Sequence, residues 1–172
     1  MRGVKDILVI LPQMRDLWSI DHAGLSGRFR VRYVDPDLDL SQQFDAINYL
    51  DRVARIPTDG IVATHDNAAL LAALVAHRRG LPGPTPEVVF ACHYKPASRA
   101  RQKAAAPAAV PRYAILGPSV VFEPPFIVKP VFGTLSGGAR RIDDLGQLAL
   151  LNGNGHARRY ARVAEMIGVN GR

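Results

Sequence analysis

Apolar and polar residues alternate along the first ninety positions in a rhythm of short runs and longer periodic stretches. Asp6 to Leu11 is a nearly continuous run of branched apolar residues closed by Pro12, which predicts a buried parallel strand. Phe29 to Val34 alternates apolar and basic residues and then meets Asp35-Pro36-Asp37, a second strand with its turn. Over 41–55, Phe44, Ile47, Leu50 and Val53 fall at helical spacing, and Pro57 stops the pattern. Gly60 to Ala63 predicts a third short strand. Asn67 to Arg79 predicts an Ala/Leu-rich helix that ends in basic residues and Gly80. The segment Gln13 to Arg28 holds two glycines and no clean period, so the first crossover helix is the weakest element of the pattern. Strand, helix, strand, helix in this order means an α/β fold, a parallel sheet with helices packed against it.

Gly80-Leu81-Pro82-Gly83-Pro84-Thr85-Pro86 interrupts the rhythm and sets a boundary between about 80 and 92. Beyond it Glu87 to Ala106 predicts helix apart from Pro96. The proline pair Pro124-Pro125 precedes an apolar strand, Phe126-Ile127-Val128-Lys129-Pro130, and a glycine-rich stretch follows, Gly133-Thr134-Leu135-Ser136-Gly137-Gly138. Arg141-Ile142-Asp143-Asp144 is expected to lead into a helix through Leu151, and His156 to Ile167 predicts a last amphipathic helix.

Charge separates the two halves. The formal charge is +7, yet residues 1–90 hold 10 Lys/Arg against 11 Asp/Glu, whereas residues 91–172 hold 12 against 4. The second half is therefore the part that suits an anionic partner. Its aromatic residues, Tyr94, Tyr113, Phe122, Phe126, Phe132 and Tyr160, show no clustering along the sequence, which counts against a nucleic-acid groove. A single cysteine, Cys92, rules out an internal disulfide. No apolar stretch approaches the ~20 residues of a membrane span, and the first run is too short for a signal-peptide core, so a cytoplasmic protein is expected.

The strongest chemical feature is the lysine on the apolar strand. Lys129 must send its ammonium to water or meet an anion. The loop from Gly133 to Gly138 can bring backbone N–H groups close to phosphate oxygens because its glycines place no Cβ in the way. A snorkelling lysine before an ordinary hairpin turn is the competing reading. Lys95 and Arg99 lie four apart, on one helical face if Pro96 sits in the first turn of a helix, and can address one anion; a solvated basic face is the alternative. The loop does not end in Gly-Lys-Ser/Thr, and the first strand leads into Pro12-Gln13-Met14-Arg15 rather than a Gly-x-Gly-x-x-Gly turn. His22, His65, His77, His93 and His156 never fall at a metal-ligand spacing. Ser26 and Ser136 read as loop serines, with no nucleophile elbow around either. Asp66 reads as the cap of the helix beginning at Asn67 in preference to a ligand contact.

Taken in order, Asp59-Gly60-Ile61-Val62, Gly80-Leu81-Pro82-Gly83, Lys95 with Arg99, Val110-Pro111, Pro125-Phe126-Ile127-Val128-Lys129-Pro130 and Ser136-Gly137-Gly138 resemble the ATP-grasp superfamily over roughly residues 59–145. The resemblance implies a Rossmann-like leading domain, residues 1–88, followed by part of the α+β small lobe, residues 89–172. It implies ATP as the ligand, with Lys95, Arg99, Lys129, Gly133, Ser136, Gly137 and Gly138 as its contacts. Family members activate a carboxylate as an acyl phosphate for attack by an amine or other nucleophile, so an unidentified carboxylate would be the partner of a full-length protein. Tyr94 stands where the family usually has Asp. The family's magnesium ligands and catalytic arginine belong to a later lobe that this sequence does not contain, so magnesium is expected only with that lobe. Glu123, Asp143, Asp144 and Glu165, the acids after residue 90, match no such motif. The expectation is thus a truncated member or front portion with half an ATP site. The alternative is a non-catalytic α/β interaction module, engaging an anionic partner through its basic half or a second copy through the uncovered edge of the small lobe.

Overall fold

A computed structural model describes residues 3–38, 44–116, 122–132 and 137–150. The expected helix at 156–167 lies outside the described residues. The chain divides into two compact units, Met1–Val89 and Phe90–Arg172. No helix among the described residues is long and apolar enough to cross a membrane.

The first unit is α/β. Strands β1 (Lys5–Ile10), β2 (Phe29–Val34) and β3 (Gly60–Val62) form a parallel sheet in the order β2-β1-β3. The register sets Ile7 against Val31 on one side and Gly60 on the other. The central strand carries the continuous apolar run because both of its faces are covered: Leu8, Val9 and Ile10 are all buried. Helices α2 (Ala46–Ala54) and α3 (Asp66–Arg78) supply Tyr49, Leu50, Val53, Ala68, Leu71, Ala72 and Val75 to the same core. Alanines dominate the buried face of α3, so that helix can approach the sheet closely.

Local chemistry fixes the element ends. Asp45 precedes α2 in extended conformation, and its carboxylate accepts the Ile47 and Asn48 N–H groups at 3.0 and 3.1 Å. Substituting Asp45→Ala strips those two acceptors and should cost about 1 kcal/mol of stability, read as a lower denaturant midpoint with unchanged slope. The expected helix over 41–55 thus begins later, after this cap. Gln13 to Arg28 resolves into α1 (Met14–His22) and a short 3₁₀ turn (Leu25–Gly27), separated by Gly24 at φ 65. Gln13 N–H and the Thr64 hydroxyl both donate to Asp16, at 2.9 and 2.8 Å. Burial opposes ionisation of Asp16, but these donors outweigh it and hold its carboxyl below the usual range.

Asp66 is not the cap. It is the first residue of α3, and His65 holds the capping position without a side-chain cap bond. The His65 ring instead lies against the end of β1, with Nε2 2.6 Å from the Leu11 carbonyl oxygen. Leu11, Asp35 and Asp37 adopt positive φ where β1 and β2 end.

The second unit corrects the sequence pattern in three places. Helix is broken at Tyr94 into α4 (Pro86–His93), which begins in the first unit, and α5 (Lys95–Ala105). Strand β4 (Phe126–Val128) pairs antiparallel with β5 (Arg140–Ile142), where the start of a helix was expected; among the described residues a 3₁₀ segment (Leu145–Leu150) follows. Ile142 is buried opposite Phe126, and that cross-strand pairing is what the strand secures. Ile127, expected to be at least half-buried, is 65% exposed.

Candidate functional site

Pro96 sits in the first turn of α5, where its missing N–H costs nothing, and this places Lys95 at the start of the helix. The Lys95 N–H donates to the Val131 carbonyl at 3.1 Å. That bond ties the start of α5 to the segment leaving β4. Three aromatic rings pack beside the junction. Tyr94 lies 5.5 Å from Phe90 and 5.1 Å from Phe132, and Phe90 lies 5.8 Å from Phe132, centroid to centroid. Phe90 and Phe132 are buried. Aromatic residues scattered in sequence are therefore gathered in space, as a packing wedge rather than as an open stacking platform. Phe122 and Phe126 make a second pair at 6.4 Å, with the Arg112 guanidinium 5.2 Å from the Phe122 ring.

The consequence is electrostatic. Lys129 follows β4 directly, and its charge acts on Lys95. Partial burial, and then the charge of Lys129, hold the Lys95 amine below its ordinary value of 10.5. The contribution of one like charge to the other is unfavourable in the free protein. No salt bridge among the described residues reaches Lys129: the carboxylates in ion pairs are Asp16, Asp6, Asp35, Asp51 and Asp143. A phosphate placed against both ammoniums would turn repulsion into attraction, a gain that neither lysine gives alone.

The other expected contacts are placed differently. Arg99 lies one turn beyond Lys95 on α5, but its guanidinium donates to Gln102 Oε1 at 2.7 Å, along the same helix. Gly137 and Gly138 form an exposed turn just before β5, with Gly138 at φ 73, a conformation that glycine adopts without strain. Gly133 and Ser136 lie outside the described residues. Sequence reasoning missed Ile127. In the β4–β5 ladder it stands opposite Arg141 on the open face, next but one to Lys129, while its neighbours Phe126 and Val128 are half-buried. The sequence carried no signal for it, because a branched residue in the middle of an apolar strand reads as buried. Arg141 is held by Asp143 at 2.8 Å.

No group of three or more His, Cys, Asp or Glu suited to a metal ion occurs among the described residues. Neither the protein-family models nor the sequences of curated proteins give a match. A solved structure does. It is an L-amino acid ligase from Bacillus licheniformis, matched with a TM-score of 0.67 at 19% identity over 94% of this chain. The two share a fold. At that identity the likeness concerns architecture alone, and it agrees with the α/β class expected from the sequence. The chain spans 43% of the length of that ligase.

Proposed function

We propose that this chain is the front portion of an ATP-grasp protein and that it holds nucleotide phosphates between Lys95 and Lys129. The observation that carries the proposal is the backbone bond from Lys95 to Val131, which ties the start of α5 to the segment leaving β4, together with the charge of Lys129 acting on Lys95. A fold shared with an L-amino acid ligase supports it, since ligation of an amino acid needs an activated carboxyl group. On this reading the unit before Phe90 is the Rossmann-like leading domain and the unit from Phe90 onward is part of the small lobe. ATP supplies the phosphoryl group when bound. The chain's own residues bind and orient it: the two lysines neutralise the phosphates, and Ile127 offers an apolar surface to the base. Arg99 joins them only by leaving Gln102. Gly137 and Gly138, with Gly133 and Ser136, are assigned on this reading as contacts to the phosphates. Magnesium ligands and the arginine that stabilises charge during transfer belong to the part of the longer protein that this chain does not span. Carboxylate activation is accordingly proposed for the whole protein.

Titration calorimetry tests the binding half of this proposal. ATP should bind with a dissociation constant on the order of 0.1–1 mM, since half the contacts of a complete site are present. An absence of binding heat at millimolar ATP would overturn it. Proton linkage supplies a second readout. The free protein holds Lys95 with a lowered pKa, and a bound phosphate favours its charged form. At a pH just below 10.5 binding should therefore take up protons. Observed heats in two buffers of different ionisation enthalpy measure that number directly. Proton release at alkaline pH would contradict a phosphate against Lys95.

A further inference from the structure

Helix α1 carries apolar surface that the first unit does not use. None of its nine residues is fully buried. Leu17 and Ile20 are half-buried. Around the helix from them, Met14, Trp18 and His22, spaced four apart, form one stripe. Met14 is 63% exposed and Trp18 64%. The stripe is ordered rather than loose. The Trp18 and His22 rings stack at 4.2 Å, and His22 Nδ1 donates to the Trp18 carbonyl at 2.8 Å. A single exposed apolar residue is ordinary, but an organised run around a tryptophan is the kind of surface that another molecule covers.

The charges beside the stripe identify the occupant. Arg15 and Asp21 lie three residues before and three residues after Trp18, at 100° per residue on opposite flanks of it. They therefore occupy diagonal corners of one face. A two-fold axis through Trp18, with the two helices crossing steeply, carries Arg15 of one copy onto Asp21 of the other, twice over. Such self-complementarity fits a two-fold pair, in which one patch serves both partners. An acidic or basic partner would leave one corner of each diagonal unmatched. Both groups can take part. The Arg15 side chain is 76% exposed and pairs with Asp16 at 3.8 Å. Asp21 accepts the Tyr33 hydroxyl on Oδ1 at 2.7 Å, which fixes the carboxylate and leaves its second oxygen for a new donor.

We infer that α1 is a homodimer contact, with Trp18 stacked on its symmetry mate and two Arg15–Asp21 pairs at the rim. One nine-residue helix cannot bury the ~1,200 Å² of a stable interface, so the dimer exchanges rapidly and forms in the micromolar to millimolar range. Trp18 is the only tryptophan in the chain and reports on the contact without labelling.

Sedimentation velocity and Trp18 emission, measured on the full chain across that range, test the inference. Wild-type protein should shift from monomer to dimer while the emission moves to shorter wavelength. Arg15→Asp and Asp21→Arg each turn two attractions into two repulsions and should weaken association about tenfold or more. Mixing the two variants restores both pairs in a heterodimer, and association should return to near the wild-type level. Circular dichroism of each variant alone establishes that it is folded before mixing, so a lost fold is not mistaken for a broken contact. Wild-type protein that stays monomeric, a dimer indifferent to both reversals, or a mixture that fails to recover would each overturn the inference.

Discussion

Lys129→Ala should weaken ATP binding ten- to a hundredfold while leaving the thermal transition of the protein unchanged or slightly raised. The size follows from the loss of a charge-assisted hydrogen bond to phosphate, worth about 1.5–3 kcal/mol. The neutral or favourable effect on stability follows from the free protein's own electrostatics. Lys129 presses on Lys95, so removing it relieves a repulsion that the ligand normally offsets. Function and stability are opposed at this one site, as is common where binding groups are held in strain. Lys95→Ala should lose affinity by a similar factor. Lys5→Ala and Lys103→Ala, elsewhere in the chain, should change little. Equal loss from all four would mean diffuse attraction to a basic surface, and no loss from Lys129→Ala would remove it from the site. Calorimetry with ATP at low salt gives the four affinities.

The second large effect is structural. Ile10→Ala removes a fully buried side chain from the central strand, where it contacts the core shared by α2 and α3. Neighbours on a strand bonded on both sides relax little, so a cavity remains and the cost is about 3–4 kcal/mol. In a unit of this size that lowers the melting temperature by roughly 15 °C, measured by circular dichroism. Ile127→Ala makes the contrast. The same chemical change on an exposed residue should cost at most about 0.5 kcal/mol, while weakening the affinity for ATP but not for inorganic triphosphate. A large stability loss at Ile127, or a small one at Ile10, would contradict the burial described above.

These contrasts also show what the amino-acid pattern conveyed. The first unit was legible because its information is local. A continuous apolar run marked the doubly covered strand β1, alternation marked β2 at Phe29–Val34, and an Ala/Leu stretch ending in basic residues and Gly80 marked α3. Strand β5 was hidden because Arg140-Arg141-Ile142 carries a single buried residue, and its partner lies a dozen positions away across a glycine-rich turn. Two arginines followed by two aspartates resemble the start of a helix until Phe126 is seen to need Ile142. His65 was obscured for a similar reason: its ring meets the Leu11 carbonyl, 54 positions earlier, and only the parallel pairing of β1 with β3 brings them together. The break at Tyr94 was partly announced by Pro96, which cannot sit deep inside a helix.

The candidate site was legible in a different sense. Nothing in local periodicity places Lys95 near Lys129. The expectation that both meet a nucleotide came from the order and spacing of motifs, and the fold ties the Lys95 N–H to Val131, two residues after Lys129. The interaction of Arg99 with Gln102 was invisible to that argument, because three-apart partners on an exposed helix face are common and carry no signature. The stripe of Met14, Trp18 and His22 escaped notice because its segment shows no clean period. Only the short length of α1 makes four-apart spacing meaningful there.

An acyl-phosphate derivative of ATP that transfers its acyl group to nearby amines gives the most direct measurement, because the chain contains only four lysines, Lys5, Lys95, Lys103 and Lys129. Peptide mass spectrometry after brief labelling reads which of them was modified. A nucleotide held between α5 and β4 predicts labelling concentrated on Lys95 and Lys129 and suppressed by excess ATP, with Lys5 and Lys103 modified slowly and without protection. Uniform labelling of all four, or protection that spares Lys95 and Lys129, would contradict a phosphate site between these two lysines.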